Sequence, residues 1–402
     1  MNRKFLCLLL ILLFSACKQH SGDRWLVREL PSPAGTDSGE SNLHSYGSRV
    51  YMSWFGARPD GTRELLFSQW NGQSWAAPAK IAGPALFVVN WADFPSIIAL
   101  QSGMLVAHWS LKAPGGPYAS NIRIGISNND GRTWSVPVSP HPHQTNFEHG
   151  FVALSELNMG RFAAIWLDGR NFPPEEKEAA KTNSMMLYYA QYESGRFLKE
   201  QRLDDRVCDC CQTDAAPIPN GMIVVYRDRS ESEVRDIAYI RNLHGVWAKP
   251  KPLWKDGWQI EACPVNGPAV STSGSHVVVA WFTGVGNQPR VNMIFSHDGG
   301  ESFGKAVRVD GGNPSGRVDV QWLGDQAAVV TWLENRKEQG AEIRARVVHP
   351  DGTGEESFVV AKASAARATG FPRIARFGKG FLVSWTSSDE DHSRVKVVAV
   401  ER

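Results

Sequence analysis

Val50-Tyr51-Met52-Ser53-Trp54 is the first of seven short apolar runs that end in a large aromatic, and their recurrence decides the fold. The others are Leu105-Val106-Ala107-His108-Trp109, Phe162-Ala163-Ala164-Ile165-Trp166, Ile223-Val224-Val225-Tyr226, Val277-Val278-Val279-Ala280-Trp281, Ala328-Val329-Val330-Thr331-Trp332 and Phe381-Leu382-Val383-Ser384-Trp385. Their terminal aromatics lie 55, 57, 60, 55, 51 and 53 residues apart. A second track places an aromatic at the opening of a later strand: Trp25, Trp75, Trp134, Phe197, Trp247, Phe303 and Phe358. Each period carries four strand signals, and small four-stranded sheets protect their edges by radial repetition around an axis. The period therefore predicts an all-β, seven-bladed β-propeller. Six blades is the alternative if one weak unit collapses, the fourth being the least regular because Tyr226 replaces Trp. The last unit, residues 367–402, has only three strands, whereas residues 23–31 hold an unassigned strand around Trp25. The ring is expected to close by adding that strand to the last blade, as one domain over residues 23–402.

Composition agrees with this class. Of 402 residues, 42% are apolar, 21% charged and 10% aromatic, which excludes disordered, collagen-like and coiled-coil chains. Lys and Arg number 43 against 41 Asp and Glu, with no long run of one sign, so no nucleic-acid partner is expected. Residues 1–16 place Arg3 and Lys4 before an apolar stretch from Phe5 to Phe14, then Ser15 and Ala16 before Cys17. That is the pattern of a secretory signal, too short for a permanent span. Its Phe-Ser-Ala-Cys ending resembles the bacterial lipoprotein box, with Phe14 where Leu is usual. The resemblance implies lipidation of Cys17, a tether over residues 17–22 and, with Lys18 rather than Asp following, attachment to an outer membrane by the lipid alone.

Ser127-Asn128-Asn129-Asp130-Gly131-Arg132-Thr133-Trp134 matches an Asp box with one extra residue before the Asp, and Ser296-His297-Asp298-Gly299-Gly300-Glu301-Ser302-Phe303 is a looser copy. In such a turn the Asp side chain bonds the turn's own amides and Gly supplies positive φ. These boxes resemble those of the bacterial sialidase (neuraminidase) superfamily, and the modular pattern covers essentially the whole mature chain. Sialidases have six blades where seven are counted here, and their early Arg-Ile-Pro signature is absent. The segments Glu148-His149-Gly150-Phe151, Trp166-Leu167-Asp168-Gly169-Arg170, Cys208-Asp209-Cys210-Cys211-Gln212-Thr213-Asp214, Tyr226-Arg227-Asp228-Arg229 and Cys263-Pro264-Val265-Asn266-Gly267-Pro268 are more similar to secreted sialidase-like bacterial proteins of unknown reaction.

In a blade, the loop entering the first strand and the loop leaving the second share one face. Asp93, Glu148, His149, Cys210, Cys211, Asp214, Cys263, Asn266, Arg317 and Asp319 fall near the start of first strands. Asp168, Arg170, Arg227, Asp228, Arg229, Glu334 and Arg336 follow second strands. All should converge on one mouth, where propellers bind ligands. Sialidase chemistry uses three Arg to hold the substrate carboxylate, an acid, and a Tyr activated by a Glu. Arg170, Arg227 or Arg229, and Arg317 are the candidates for the grip, and Asp93, Asp168, Asp214 and Asp319 for the acid. Glu148, His149, Asp228 and Asn266 are candidate ligand-binding residues. No Tyr stands at a strand end on this face; Tyr226 lies within a strand and Tyr118 in the loop of the second unit. The alternative for Asp168–Arg170 and Asp228–Arg229 is a loop-bracing ion pair.

Cys7 leaves with the signal, so the folded domain keeps Cys208, Cys210, Cys211 and Cys263. An even number in an oxidising compartment reads first as one or two disulfides, with a bridge between adjacent blades at the mouth. Alternatively, three thiols within four residues plus Cys263, with His149 as a further donor, suit copper or zinc, provided an irregular loop lets the Cys-x-Cys-Cys side chains face one ion. A redox-active pair is a third option. His141 and His143 read as a solvated loop. The expectation for function is a sialidase-like glycoside hydrolase acting on terminal acidic sugars, as a monomer and without a cofactor. The alternatives are a non-catalytic surface propeller that binds a glycan or another carboxylate-bearing ligand, and metal handling through the cysteines.

Overall fold

The computed structural model describes residues 25–402 except 143–144, 159, 172–183, 337–339 and 389–391. The signal, Cys7, Cys17, the tether and His143 lie outside the described residues. Among the described residues no helix is long and apolar enough to cross a membrane.

Seven antiparallel sheets follow one another along the chain as the blades of a β-propeller. The first strands are Ser38–Tyr46, Ser96–Ala99, His149–Asn158, Asp214–Ile218, Ala269–Ser273, Pro314–Trp322 and Arg373–Phe377. In the second blade the outermost strand shrinks to one bridge, Ile124 with Val138. Blades three and four each divide their outer edge between two short strands. Leu26–Leu30 pairs antiparallel with Ser393–Glu401, so the N-terminal strand completes the last blade as the sequence predicts.

Alternation of apolar residues along each strand buries both sheet faces against neighbouring blades. The buried apolar residues accordingly form seven clusters, one at each blade interface. The second-strand aromatics Trp54, Trp166, Tyr226, Trp281 and Trp332 are fully buried within them. Buried polar atoms of this kind need partners, and all but the Trp54 Nε1–H have one among the described residues. Trp166 donates its Nε1–H to Asp168 (3.0 Å), Trp281 to Asp256 (2.7 Å) and Trp332 to Glu334 (2.7 Å), while the Tyr226 hydroxyl donates to Asp204 (2.5 Å). Blade four thus retains the common arrangement despite its tyrosine. Opposite Trp54, Trp166 and Trp332 the first strand bulges, at Glu40, Phe151 and Arg317, each with positive φ.

Both Asp-box turns connect a third to a fourth strand, on the face opposite the first-strand starts. Their register corrects the sequence alignment. In the first, Asn129 and not Asp130 takes the acidic position: its Oδ1 accepts the Thr133 N–H (3.0 Å), while Asp130 adopts φ 55°. Asp298 does the same for Ser302 in the second, and in both the initial serine accepts the N–H four residues on. An amide oxygen accepts as an aspartate oxygen does, so the motif needs no inserted residue.

Removing residues 25–30 should leave the valine-rich strand Ser393–Glu401 as an open hydrophobic edge. The expected outcome is a lower melting temperature and concentration-dependent aggregation, measurable by calorimetry and light scattering.

Candidate functional site

First-strand residues from all seven blades line an axial cavity of about 340 Å³. At its upper end stand Asp93, Phe94, Gln212, Asp214, Asp319, Phe371 and Arg373. Three of these aspartates brace the ring. Asp93 accepts the Phe151 N–H of the next blade (2.8 Å), Asp214 that of Val270 (2.8 Å), and Asp319 that of Ile374 (2.9 Å). Each carboxylate thereby fixes a neighbouring first strand. Burial pushes Asp214 up to about 6 and raises Asp319 despite the Arg373 guanidinium 3.3 Å away.

The segment Asn90–Phe94 lies across the mouth. Gln212 donates to the Ala92 carbonyl (2.5 Å) and accepts the Gly267 N–H (3.0 Å), tying loops of three blades together. A Cβ on Gly267 would come within 2.1 Å of the Gln212 backbone, which explains the glycine. Trp91 stacks on Phe371 at 5.9 Å and carries the Arg317 guanidinium over its ring at 4.6 Å. Trp91, Phe371 and Arg373 are mouth residues absent from the candidates of the sequence, and Gln212 stands there only within its quoted segment. The signal was present: Phe94-Pro95 and Phe371-Pro372-Arg373 both precede or open first strands.

The expected arginine grip does not form, because the four guanidiniums are committed to different partners. Arg170 pairs with Asp168 (2.6 Å) and Glu200 (2.6 Å), with Tyr188 beneath it. Arg227 is buried and donates to the backbone carbonyls of Asn266, Arg235 and Phe282. Arg229 pairs with Asp209 (2.7 Å) and Glu233 (2.9 Å). Arg317 donates to the Ala366 and Gly370 carbonyls and has no carboxylate partner among the described residues. Burial lowers it to about 10, and exposed Arg367 adds to that effect.

Asp168 is not placed to deliver a proton. Burial opposes its ionisation, but hydrogen bonds from His149, Arg170 and Trp166 outweigh that and hold it well below the usual carboxylate range. His149 is buried with Nε2 3.4 Å from Asp168 and Nδ1 3.0 Å from the Ser120 carbonyl. His141, expected in a solvated loop, is instead buried and stacked on His149 at 4.0 Å, because its Nε2 accepts the Ile122 N–H. Asn266 binds the Ser315 carbonyl and the Arg317 N–H, a loop-fixing role. Asp228 caps the Arg229 N–H, and burial first, then Asp204 and Asp236, push it up to about 6. Glu334 braces Trp332 and Asn313, and Arg336 pairs with Glu342 away from the mouth.

Asp93 and Glu148 behave differently. They come from successive interblade loops, and a Cβ on Gly150 would meet Asp93 Oδ2 at 2.4 Å, so the glycine lets the carboxyl reach the Glu148 loop. Neither has an ion-pair partner among the described residues. Burial pushes Asp93 up to about 7. Burial, then the charges of Asp93, Asp209 and Cys263, pushes Glu148 up to about 8. For Asp93, the folded chain keeps a proton that the unfolded chain releases near pH 4. Stability should therefore fall as pH rises from about 4 to 7, and Asp93→Asn, which can still accept the Phe151 N–H, should abolish that part of the slope. Thermal melts of both proteins at pH 5 and 8 test this; the expected gain for the variant at pH 8 is about 1–4 kcal/mol.

Among the described residues no disulfide is formed. Cys208, Cys210, Cys211 and Cys263 are all free thiols, with Cys208 Sγ 3.2 Å from Cys211 Sγ, well beyond a bond of about 2.05 Å. The expected bridge between blades is replaced by a thiol contact between Cys210 and Cys263. Burial works against a thiolate at Cys208, yet hydrogen bonds from Cys210 and Cys211 and the Arg235 charge bring it well below the ordinary thiol range.

No family model matches the chain, and no curated protein does. Several solved structures share its fold. An ulvan lyase representing a new family of polysaccharide lyases superposes with a TM-score of 0.58 at 12% identity, over 92% of this chain and 95% of that one. A protein of unknown function from Dyadobacter fermentans gives 0.54 at 13%, over 93% and 99%. The α-L-arabinanase of Penicillium chrysogenum, complexed with arabinobiose, gives 0.52 at 12%, over 94% and 97%. At these identities the likeness concerns the propeller alone.

Proposed function

We propose that this chain is an extracytoplasmic glycan-active propeller, anchored through Cys17, that hydrolyses terminal acidic sugars at its mouth. The observation that carries the reading is the Asp93–Glu148 pair: two carboxyls from successive interblade loops, close enough for the charge of Asp93 to act on Glu148, with no ion-pair partner among the described residues. Such a pair divides the work of glycoside hydrolysis. Glu148 protonates the leaving oxygen, and Asp93 in its ionised form assists water or stabilises the developing positive charge. Exposed Arg367, close enough to act on the buried Arg317, adds positive charge that suits a sugar carboxylate. An α-L-arabinanase and an ulvan lyase that share the fold are consistent with a glycan substrate.

The sialidase mechanism itself is disfavoured. Tyr226 bonds Asp204 inside the blade and Tyr189 bonds Gln191, so among the described residues no tyrosine hydroxyl is paired with a glutamate. That observation favours a second reading, a binding propeller without turnover. A panel of acidic reporter glycosides, assayed beside calorimetric binding of the same glycans, separates the two. Release of sugar supports hydrolysis, binding without release supports the second reading, and neither binding nor release removes both.

A further inference from the structure

Residues 208–211 leave the regular strands and turn, which allows Cys-x-Cys-Cys side chains to face one point. Cys208 Sγ lies 3.2 Å from Cys211 Sγ and 4.0 Å from Cys210 Sγ, and the three sulfurs are within 4.8 Å of one another. Sulfurs at about 2.3 Å from a tetrahedral cation stand about 3.8 Å apart, so the observed separations bracket a ligand set. Cys263 reaches Cys210 from the neighbouring blade.

Two N–H groups aim at these sulfurs from outside the cluster. The Asn266 backbone N–H points at Cys211 Sγ (3.4 Å), and Arg235 Nη1 at Cys208 Sγ (3.2 Å). Outer donors of this kind orient metal-bound ligands and offset their charge. Arg235 is itself held by Glu233 at 2.6 Å. Exposure is graded: Cys208 and Cys211 are buried, Cys210 part-buried and Cys263 exposed, which gives an ion a route in. The donor set is sulfur alone, which selects soft cations over magnesium or calcium.

We propose that Cys208, Cys210 and Cys211 bind one soft cation, Cu(I) or Zn(II), with Cys263 as the fourth thiol through which the ion enters and leaves. Binding exchanges thiol protons for the metal and releases them to solvent, with no electron transfer. The site stands apart from the glycan reading and survives its failure.

The test uses the full chain, purified under reductant without chelator. One copper or zinc per chain is expected by elemental analysis, and the stripped chain should take up one equivalent of Cu(I) or Zn(II) against a competing chelator, with thiolate-to-metal absorption. Cys211→Ser should lose at least about tenfold in affinity, and Arg235→Gln about 10–100-fold. Cys263→Ser should weaken binding less and slow transfer to the chelator. Cys210→Ser, at a part-buried position, guards against misfolding of the buried variants, and each is checked by its melting curve. Failure of the reduced chain to bind either ion more tightly than the Cys208→Ser/Cys210→Ser/Cys211→Ser triple variant would overturn the site. So would a quantitative Cys208–Cys211 disulfide in chain alkylated directly on isolation from cells.

Discussion

Asp168→Ala is expected to lower the unfolding free energy by about 3–5 kcal/mol, the cost of breaking a buried charge network from one side. Its carboxylate accepts from Trp166 Nε1 and from Arg170, and it faces His149. Removal strands a buried indole N–H and a buried imidazole at the junction of the first two strands of blade three. Arg170→Ala should cost less, because that guanidinium is part-exposed and can be partly screened by water. Chemical denaturation measures both. Asp168→Asn provides the functional control: turnover per folded molecule should remain near that of the parent chain. A large loss of turnover with unchanged stability would return Asp168 to the reacting groups.

The second large effect belongs to Glu148→Gln. A positioned proton donor contributes about 10²–10⁴ in rate, so kcat on a responsive glycoside should drop by that order while glycan Kd changes little. The pH profile carries an independent signature. With Glu148 pushed up to about 8 and Asp93 to about 7, the productive state has Asp93 ionised and Glu148 protonated. Rate should rise through the lower value and fall through the upper, a narrow bell whose apparent values belong to the pair. In Glu148→Gln the alkaline limb should vanish. If turnover, its pH profile and glycan affinity all survive the substitution, the carboxyl pair is not the reacting centre.

Much of this molecule was legible before any coordinates. The aromatic-terminated runs, the second aromatic track and the orphan strand near Trp25 placed seven blades and their closure, since a period of about 55 residues repeats the same burial demand each time. Sorting polar residues by strand ends also put Asp93 and Glu148 in successive interblade loops and Cys208, Cys210 and Cys211 in one loop, with Cys263 reaching Cys210 from the next blade. What failed was the assignment of roles. Arg227 looks like a ligand-gripping arginine in sequence, yet its donors serve carbonyls of its own and the next blade. Asp168 resembles an acid but is a braced anion.

The chain by itself determined the repeat, because alternating burial and edge protection are periodic properties written in residue order. Only the packed ring decided which charges are spent and which remain available. Whether an arginine meets a carbonyl, a carboxylate or an open mouth depends on residues 30 to 60 positions away, as with Arg317 and Gly370 or Arg227 and Asn266. Those distances through the chain become hydrogen bonds only when neighbouring blades close around the axis.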